Sequence, residues 1–148
     1  MAALRIIIDT NVLASGLRSR RGASFGLLSR LGNGEFTLVV TVPLVIEYEK
    51  TLRNPRVAVP FSADEVGRYL DYLCSVAEPR RVHFLWRPVL ADQKDDMVLE
   101  AAVNGECRFI VTYNLAHFGG AERFGVAAIS PRDLLIRLTP VPRKTLRL

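Results

Sequence analysis

The stretch Leu4–Leu13, LRIIIDTNVL, determines how the rest of the chain can fold. It begins with a short run rich in isoleucine, which is typical of a strand buried on both faces of a sheet. Polar residues end the run at Asp9, and the residues after it have helical character, with Asn11 as the expected N-cap. Asp9 is therefore predicted to lie at the carboxyl end of a first strand, where open α/β sheets bind their ligands.

Outward from this stretch, short apolar runs typical of buried strands alternate with segments of helical periodicity. Strands are predicted at Phe36–Thr41, Val82–Trp86, Arg108–Thr112 and within Phe124–Ile129. Helices are predicted at Val12–Leu17, Ala23–Leu31, Pro43–Asn54, Ser62–Ala77, Asp92–Gly105 and Pro131–Leu138, with a loop at Ala116–Gly120. This alternation predicts an α/β fold of three layers, α/β/α, with a mainly parallel central sheet.

The length and charge of the chain limit what it can be. Its 148 residues suit a single domain over 1–148, and the net charge of +5 rests on 17 arginines and only three lysines. Guanidinium groups suit phosphate recognition, although such usage can equally reflect genome composition or growth temperature. The basic segment with Arg18, Arg20 and Arg21 is a candidate for binding substrate phosphates, and a solvated surface loop is the alternative.

The cysteines and the hydropathy pattern indicate a cellular compartment. Cys74 and Cys107 lie far apart and outside any metal-binding pattern, so we expect buried, reduced thiols. The sequence carries no signal-peptide pattern and no apolar run approaching the length of a membrane helix. We therefore expect a soluble, cytoplasmic protein that does not contact the membrane.

Acidic and amide side chains are expected to meet at one edge of the predicted sheet. Asp9 ends the first strand, Glu47 belongs to the helix after the second, and Asp95, Asp96 and Asn114 flank a later strand. Carboxylates held close together raise each other's pKa, and a divalent cation relieves that repulsion. Oxygen ligands select Mg²⁺ or Mn²⁺ over zinc, and either ion can activate water to attack a phosphate ester. An acidic pocket on a basic protein is the pattern expected of a metal-dependent nuclease.

Four motifs in this order resemble those of PIN-domain ribonucleases, in particular the short prokaryotic toxin components related to VapC. The motifs are IIIDTNVL at 6–13, VIEYEKTL at 45–52, DQKDDMVLEAA at 92–102 and FIVTYN at 109–114. Each motif alone is weak, but their order, spacing and predicted structural context agree over nearly the whole chain.

The resemblance implies a PIN-like fold, a Mg²⁺- or Mn²⁺-dependent endoribonuclease activity and a set of site residues. Asp9 and Glu47 would be metal-binding carboxylates, and the third would be Asp95 or Asp96, which helix register does not separate. The family commonly has an aspartate where this chain has Asn114, a departure that puts in doubt a second metal ion and full activity.

Further expectations also follow only from the resemblance. Thr10, Asn11 and Thr112 would orient the carboxylates as residues behind the metal ligands. RNA would be the substrate, the chain would form a homodimer, and a small antitoxin protein would hold the toxin inactive.

Ordinary structural roles remain open for several of these residues. Asp9 can be a helix cap, Glu47 a solvated helix residue, and Asp92 only a partner of the helix dipole. His83 and His117 are expected to be structural or surface residues rather than metal ligands. The alternative function is a catalytically decayed module that binds RNA or protein, favoured by Asn114; the sequence lacks the glycine-rich motifs of a nucleotide-binding protein.

Overall fold

A five-stranded sheet with every strand parallel to its neighbours forms the centre of the protein. The computed structural model describes residues 4–83 and 90–138. The strands are β1 (Leu4–Ile8), β2 (Phe36–Val40), β3 (Glu78–Pro79), β4 (Phe109–Val111) and β5 (Ala127–Ile129). Their order in the sheet is β3-β2-β1-β4-β5. The predicted α/β fold with a mainly parallel sheet is confirmed.

Six helices among the described residues flank this sheet. They are α1 (Thr10–Arg18), α2 (Ala23–Leu28), α3 (Val42–Leu52), α4 (Ala63–Val76), α5 (Gln93–Asn104) and α6 (Pro131–Leu138). Helix α2 packs against α1 and α6, α3 packs against α4 and α5, and α1 also contacts α3. The predicted three-layer α/β/α arrangement is therefore confirmed. Among the described residues, none of the helices has the length and apolar character that a membrane crossing requires.

The side on which the chain adds strands to the sheet changes at β1. From β1 the chain adds β2 and then β3 on one side, and it returns to add β4 and then β5 on the other. The carboxyl ends of β1 and β4 therefore border a crevice at a topological switch point, the usual ligand site of such sheets. Strand β1, which ends at this crevice, is held in the core, because its residues Ile6, Ile7 and Ile8 are at most 1% exposed.

The start of α1 corrects the predicted N-cap. Asp9, rather than Asn11, is the N-cap, which confirms the helix-cap role left open for Asp9, and its side chain accepts a hydrogen bond from the Thr10 backbone amide. The strand passes into the helix with a single intervening residue, so the capping position falls on Asp9 itself. Asn11 lies inside the first turn, where its Oδ1 accepts from the Tyr113 backbone amide at 3.5 Å.

Helix α2 is shorter than its apolar periodicity predicts, because it ends at Leu28 and not at Leu31. The Ser29 hydroxyl donates to the Gly26 carbonyl oxygen at 2.8 Å, and the following backbone amides form tighter three-residue turns. Leu31 is nevertheless buried, so its place in the apolar pattern reflects burial and not helix.

The remaining corrections lie at one edge of the sheet and in loops. The third strand is Glu78–Pro79, and the predicted strand at Val82–Trp86 is wrong for Val82 and His83, while the rest of that segment lies outside the described residues. Pairing with β2 explains the shift, since the Arg80 amide donates to the Val40 carbonyl. The loop at 116–120 includes part of a 3₁₀ helix, Leu115–Phe118.

The two cysteines differ in exposure. Cys107 is buried as predicted, whereas Cys74 is exposed, which corrects the expectation for that residue. Cys74 follows Leu73 in α4, and it is Leu73 that faces the core at 1% exposure.

An ion-pair network ties the edge strand β3 to the centre of the sheet. The Arg5 guanidinium donates to both carboxylate oxygens of Glu78 at 2.9 and 2.8 Å, and Arg80 Nε donates to Glu78 Oε2 at 2.7 Å. These hydrogen bonds to the charged form lower the pKa of Glu78 to about 2.

Replacing Glu78 by glutamine should weaken the fold modestly at neutral pH. The Glu78 side chain is 37% exposed, so solvent screening limits the expected loss to about 1 kcal/mol or less. A carboxylate with a lowered pKa stabilises the fold above its unfolded pKa and loses that effect as the pH falls toward about 2. The difference between wild type and Glu78→Gln, measured by urea unfolding, should therefore shrink in acid.

The matched control is Glu106→Gln, which removes a 76% exposed carboxylate that reaches Arg80 at 3.4 Å. We expect little change from it at any pH. A loss in Glu78→Gln that is the same at neutral and acidic pH would contradict this account.

Candidate functional site

Asp9 is fixed at the crevice by three hydrogen bonds. Its backbone amide donates to the Val111 carbonyl of β4 at 2.8 Å. Its carboxylate accepts from the Thr10 backbone amide at 2.8 Å and from the Thr112 hydroxyl at 2.7 Å. Thr112 is fully buried and Asp9 is 8% exposed, so the carboxylate is held in one position with little contact to water.

This environment raises the pKa of Asp9. Burial is the largest cause, the bonds from Thr112 and Thr10 oppose it, and the nearby charge of Asp95 raises the pKa further. The hydrogen bonds therefore offset only part of the unfavourable energy of ionising Asp9 in this buried position. A cation beside the carboxylate would offset the remainder.

The structure separates Asp95 from Asp96. Asp95 is buried, and its Oδ2 lies 3.1 Å from Nδ1 of His117; burial is the main cause of its raised pKa, and the charge of His117 opposes it. Asp96 instead accepts from the Leu90 backbone amide at 2.8 Å and so supports the loop before α5. The charge of Asp95 is among the causes that raise the pKa of Asp9.

Glu47 faces the start of α5 rather than open solvent. Its side chain is 14% exposed, and its Oε2 lies 3.6 Å from Lys94 Nζ and accepts from the Thr51 hydroxyl at 3.2 Å. Since Lys94 directly precedes Asp95, the salt bridge brings Glu47 to the helix end that carries Asp95. Asp92 accepts from the Lys94 backbone amide and caps that same helix.

The amide residues of the predicted site contribute through the loop after β4. Asn114 is exposed, its backbone amide donates to the Thr112 hydroxyl at 2.9 Å, and its carbonyl accepts from the His117 amide at 3.0 Å. Together with the Asn11 bond to Tyr113, these contacts fix the shape of the loop. Thr10 bonds Asp9 through its backbone, and of the predicted orienting residues only Thr112 reaches Asp9 with its side chain.

The three arginines predicted to bind substrate lie at the far end of α1 and in the turn after it, and not at the strand and helix ends that carry the carboxylates. Arg18 ends α1, about 13 Å of helix beyond Asp9, and its guanidinium donates to the Val57 carbonyl at 3.2 Å. Arg20 and Arg21 are exposed in the turn between α1 and α2.

The donor set is suited to a hard divalent cation. Asp9, Asp95 and Glu47 offer carboxylate oxygens, and each of the last two already has a basic side chain in contact. An open cavity of about 640 Å³ adjoins the site and is lined in part by Asp95 and His117. Within residues 4–83 and 90–138, no three acidic, histidine or cysteine side chains are close enough to form a complete metal cluster.

Two residues with a clear place in the site were not recognised from the sequence. His117 is exposed, as expected of a surface residue, and it also contacts Asp95; no sequence pattern indicated that Lys94 contacts Glu47. Their signal was position: Lys94 precedes Asp95 within the acidic motif, and His117 follows Asn114 by three residues. The exposed residue His83 donates its backbone amide to Asn104 Oδ1.

Comparisons with known proteins concern the family and the fold of the chain. A family model described as PIN domain matches residues 5–116. Among solved structures, a chain from VapBC2 of Rickettsia felis, bound to a DNA fragment from their promoter, is similar with a TM-score of 0.59 and 12% identity. The alignment covers 86% of this chain and 98% of that chain. At this identity the likeness shows the fold alone, and none of the curated proteins matches significantly.

Removing the Thr112 hydroxyl should destabilise the protein. In Thr112→Val the Asp9 carboxylate loses a buried donor, so we expect a loss of about 1–2 kcal/mol in the free energy of unfolding and a further raised pKa of Asp9. Urea unfolding measures the loss, which should be smaller in an Asp9→Ala background.

Thr51→Val is the matched control, because it removes a hydroxyl from the partly exposed carboxylate of Glu47. It should change the stability less than Thr112→Val does. Equal losses in the two variants would argue against a special role for the Thr112 bond.

Proposed function

Because the chain belongs to the PIN-domain family, we propose that it is a divalent-metal-dependent endoribonuclease that hydrolyses phosphodiester bonds in RNA. The observation that carries the proposal is the pair of buried carboxylates, Asp9 and Asp95, at the switch point of the sheet, with raised pKa values. Buried acids that lack full compensation are typical of catalytic sites and are unfavourable elsewhere.

In this proposal Asp9, Asp95 and Glu47, which do not form a complete cluster among the described residues, would move closer together to hold Mg²⁺ or Mn²⁺, and Asp96 supports the loop before α5. The chemistry that such an ion supplies is a lowered pKa of water and neutralised charge on the phosphate. Thr112 keeps the Asp9 carboxylate oriented through its hydroxyl. Asn114 offers an amide at the rim and adds no charge.

His117 and Lys94 balance the charge of the pocket in this proposal. Each contacts one of the proposed ligands, and each is more than half exposed, at 52% and 70% of the side chain. An ion held by the carboxylates would take over that balance. The two basic side chains could then donate to phosphate oxygens of the RNA.

We further propose that the protein is the toxin of a toxin–antitoxin pair and acts in the cytoplasm, where its RNA substrate is. The four motifs resemble those of VapC-related toxins, and the similar solved chain comes from a VapBC2 assembly. A small antitoxin would hold the enzyme inactive by covering the acidic pocket.

An exposed apolar pair supports the proposed homodimer. Val42 and Ile46 lie one turn apart on α3 and are 72% and 58% exposed. Apolar side chains exposed side by side are often covered by a protein partner. The pair lies on the same helix as Glu47, so a partner covering it would also border the site.

Cleavage of a generic RNA with Mg²⁺ or Mn²⁺ tests the enzymatic proposal. Asp9→Asn and Asp95→Asn should each lower the rate by about a hundredfold or more, because each removes a charged ligand. Asp96→Asn is the matched control, with the same change of charge one residue away, and it should keep most of the activity. EDTA should abolish cleavage by the wild type.

The outcomes separate this proposal from a decayed module that only binds RNA or protein, which Asn114 favours. Equal activity of wild type and Asp9→Asn would exclude the carboxylate mechanism. If nothing cleaves, and Mn²⁺ raises the melting temperature of neither wild type nor Asp9→Asn, the decayed module replaces the nuclease as the better account.

Ile46→Asp should weaken the homodimer at least tenfold, since it places a charge in the covered apolar pair. Sedimentation of the purified protein over a range of concentrations measures this. Ile136→Asp, at a 62% exposed position on α6, is the matched control and should dimerise as the wild type does. A monomeric wild type would end the homodimer proposal.

A further inference from the structure

We propose that the ring of Tyr113 is a platform on which a base of single-stranded RNA stacks beside the carboxylate site. This inference rests on the proposed ribonuclease function and names how its substrate is held. Tyr113 directly follows Thr112, the residue whose hydroxyl holds Asp9, so a nucleotide on the ring would have its phosphate close to the acidic pocket.

Tyr113 is both exposed and held in place, a combination that favours stacking of a base on its ring. The residue is 50% exposed, yet its hydroxyl is hydrogen-bonded to the hydroxyl of Ser24, which is itself only 2% exposed. Its backbone amide donates to Asn11 Oδ1. A ring fixed at its hydroxyl end and at its backbone loses little freedom when a base covers it.

The Ser24 hydroxyl that holds the Tyr113 ring also connects the site to the basic turn that contains Arg20 and Arg21. Ser24 is the second residue of α2, and Arg20 and Arg21 stand just before that helix, so the Ser24–Tyr113 bond brings the turn toward the loop after β4. An RNA strand lying on Tyr113 could therefore reach guanidinium groups with its backbone. Aromatic rings combined with a basic track are typical of sequence-tolerant binding of single strands.

The direct test measures binding without cleavage. A labelled oligoadenylate of about 12 nucleotides is titrated with wild type, Tyr113→Leu and Tyr113→Phe in EDTA. Loss of the ring in Tyr113→Leu should weaken binding about tenfold or more, whereas Tyr113→Phe keeps the ring and should bind within a few-fold of wild type. Tyr72→Leu is the matched control: that tyrosine is 47% exposed, and its hydroxyl donates to the Leu31 carbonyl.

A second measurement separates stacking from a structural effect of the variant. An abasic strand of the same length carries the same phosphates without bases. Wild type should bind it at least tenfold more weakly than oligoadenylate, and Tyr113→Leu should distinguish the two strands much less. Because this comparison is made with each folded protein against two ligands, a general loss of stability in the variant cannot imitate it.

Salt dependence tests the part assigned to the arginines. Arg20→Gln and Arg21→Gln should lower the slope of log affinity against log salt by about 0.7 for each phosphate that the variant no longer neutralises. Tyr113→Leu should lower the affinity and leave that slope unchanged.

Three results would overturn the inference: no binding of oligoadenylate by wild type, equal binding by wild type and Tyr113→Leu, or equal discrimination against the abasic strand. A changed oligomeric state in Tyr113→Leu with unchanged RNA binding would instead assign the ring to a protein interface. Failure of the ribonuclease proposal gives a different pattern, because ring-dependent binding in EDTA would persist in a wild type that cleaves nothing.

Discussion

The hydrogen bond from the Thr112 hydroxyl to the Asp9 carboxylate is the contact on which the rest of the site depends. It joins the ends of β1 and β4 at the topological switch point of the sheet, one residue beyond the register pair Ile8 and Val111. A slip of one residue between these strands would turn Thr112 to the other face of the sheet. Such a slip would also move Arg5 or Asp9 into a position that a fully buried isoleucine of β1 now fills, so the core opposes it and fixes the geometry of the site.

The site brings buried carboxylates together at a cost to the stability of the fold. Burial raises the pKa of both Asp9 and Asp95, which means that the folded state bears part of the unfavourable energy of ionising them. The protein compensates with side chains from the same segments, Lys94 at Glu47 and His117 at Asp95. Such local conflict between stability and charge placement is what a functional site is expected to show.

The sequence predicted the sheet and most helices because buried parallel strands and capped helices have strong local patterns. Ser62 with Glu65, for example, forms the full capping box that begins α4. The prediction failed where contacts between distant segments decide the secondary structure. Strand β3 has only two residues, it is held by β2 and by ion pairs, and no apolar run in the sequence marks it. The candidate carboxylates could be found, but their basic partners could not, since a lysine or histidine reveals its contact only in three dimensions.

The structure also gives Asn114 a consistent place. Of the three acidic residues proposed as ligands, Glu47 and Asp95 already have basic partners, and Asp9 has two hydrogen-bond donors. A further carboxylate at position 114 would stand at the exposed rim, where neither the Thr112 hydroxyl nor Lys94 is available to it. If the site holds one divalent ion, as proposed, the amide at position 114 would keep the negative charge of the pocket within what that ion and the neighbouring basic side chains can balance.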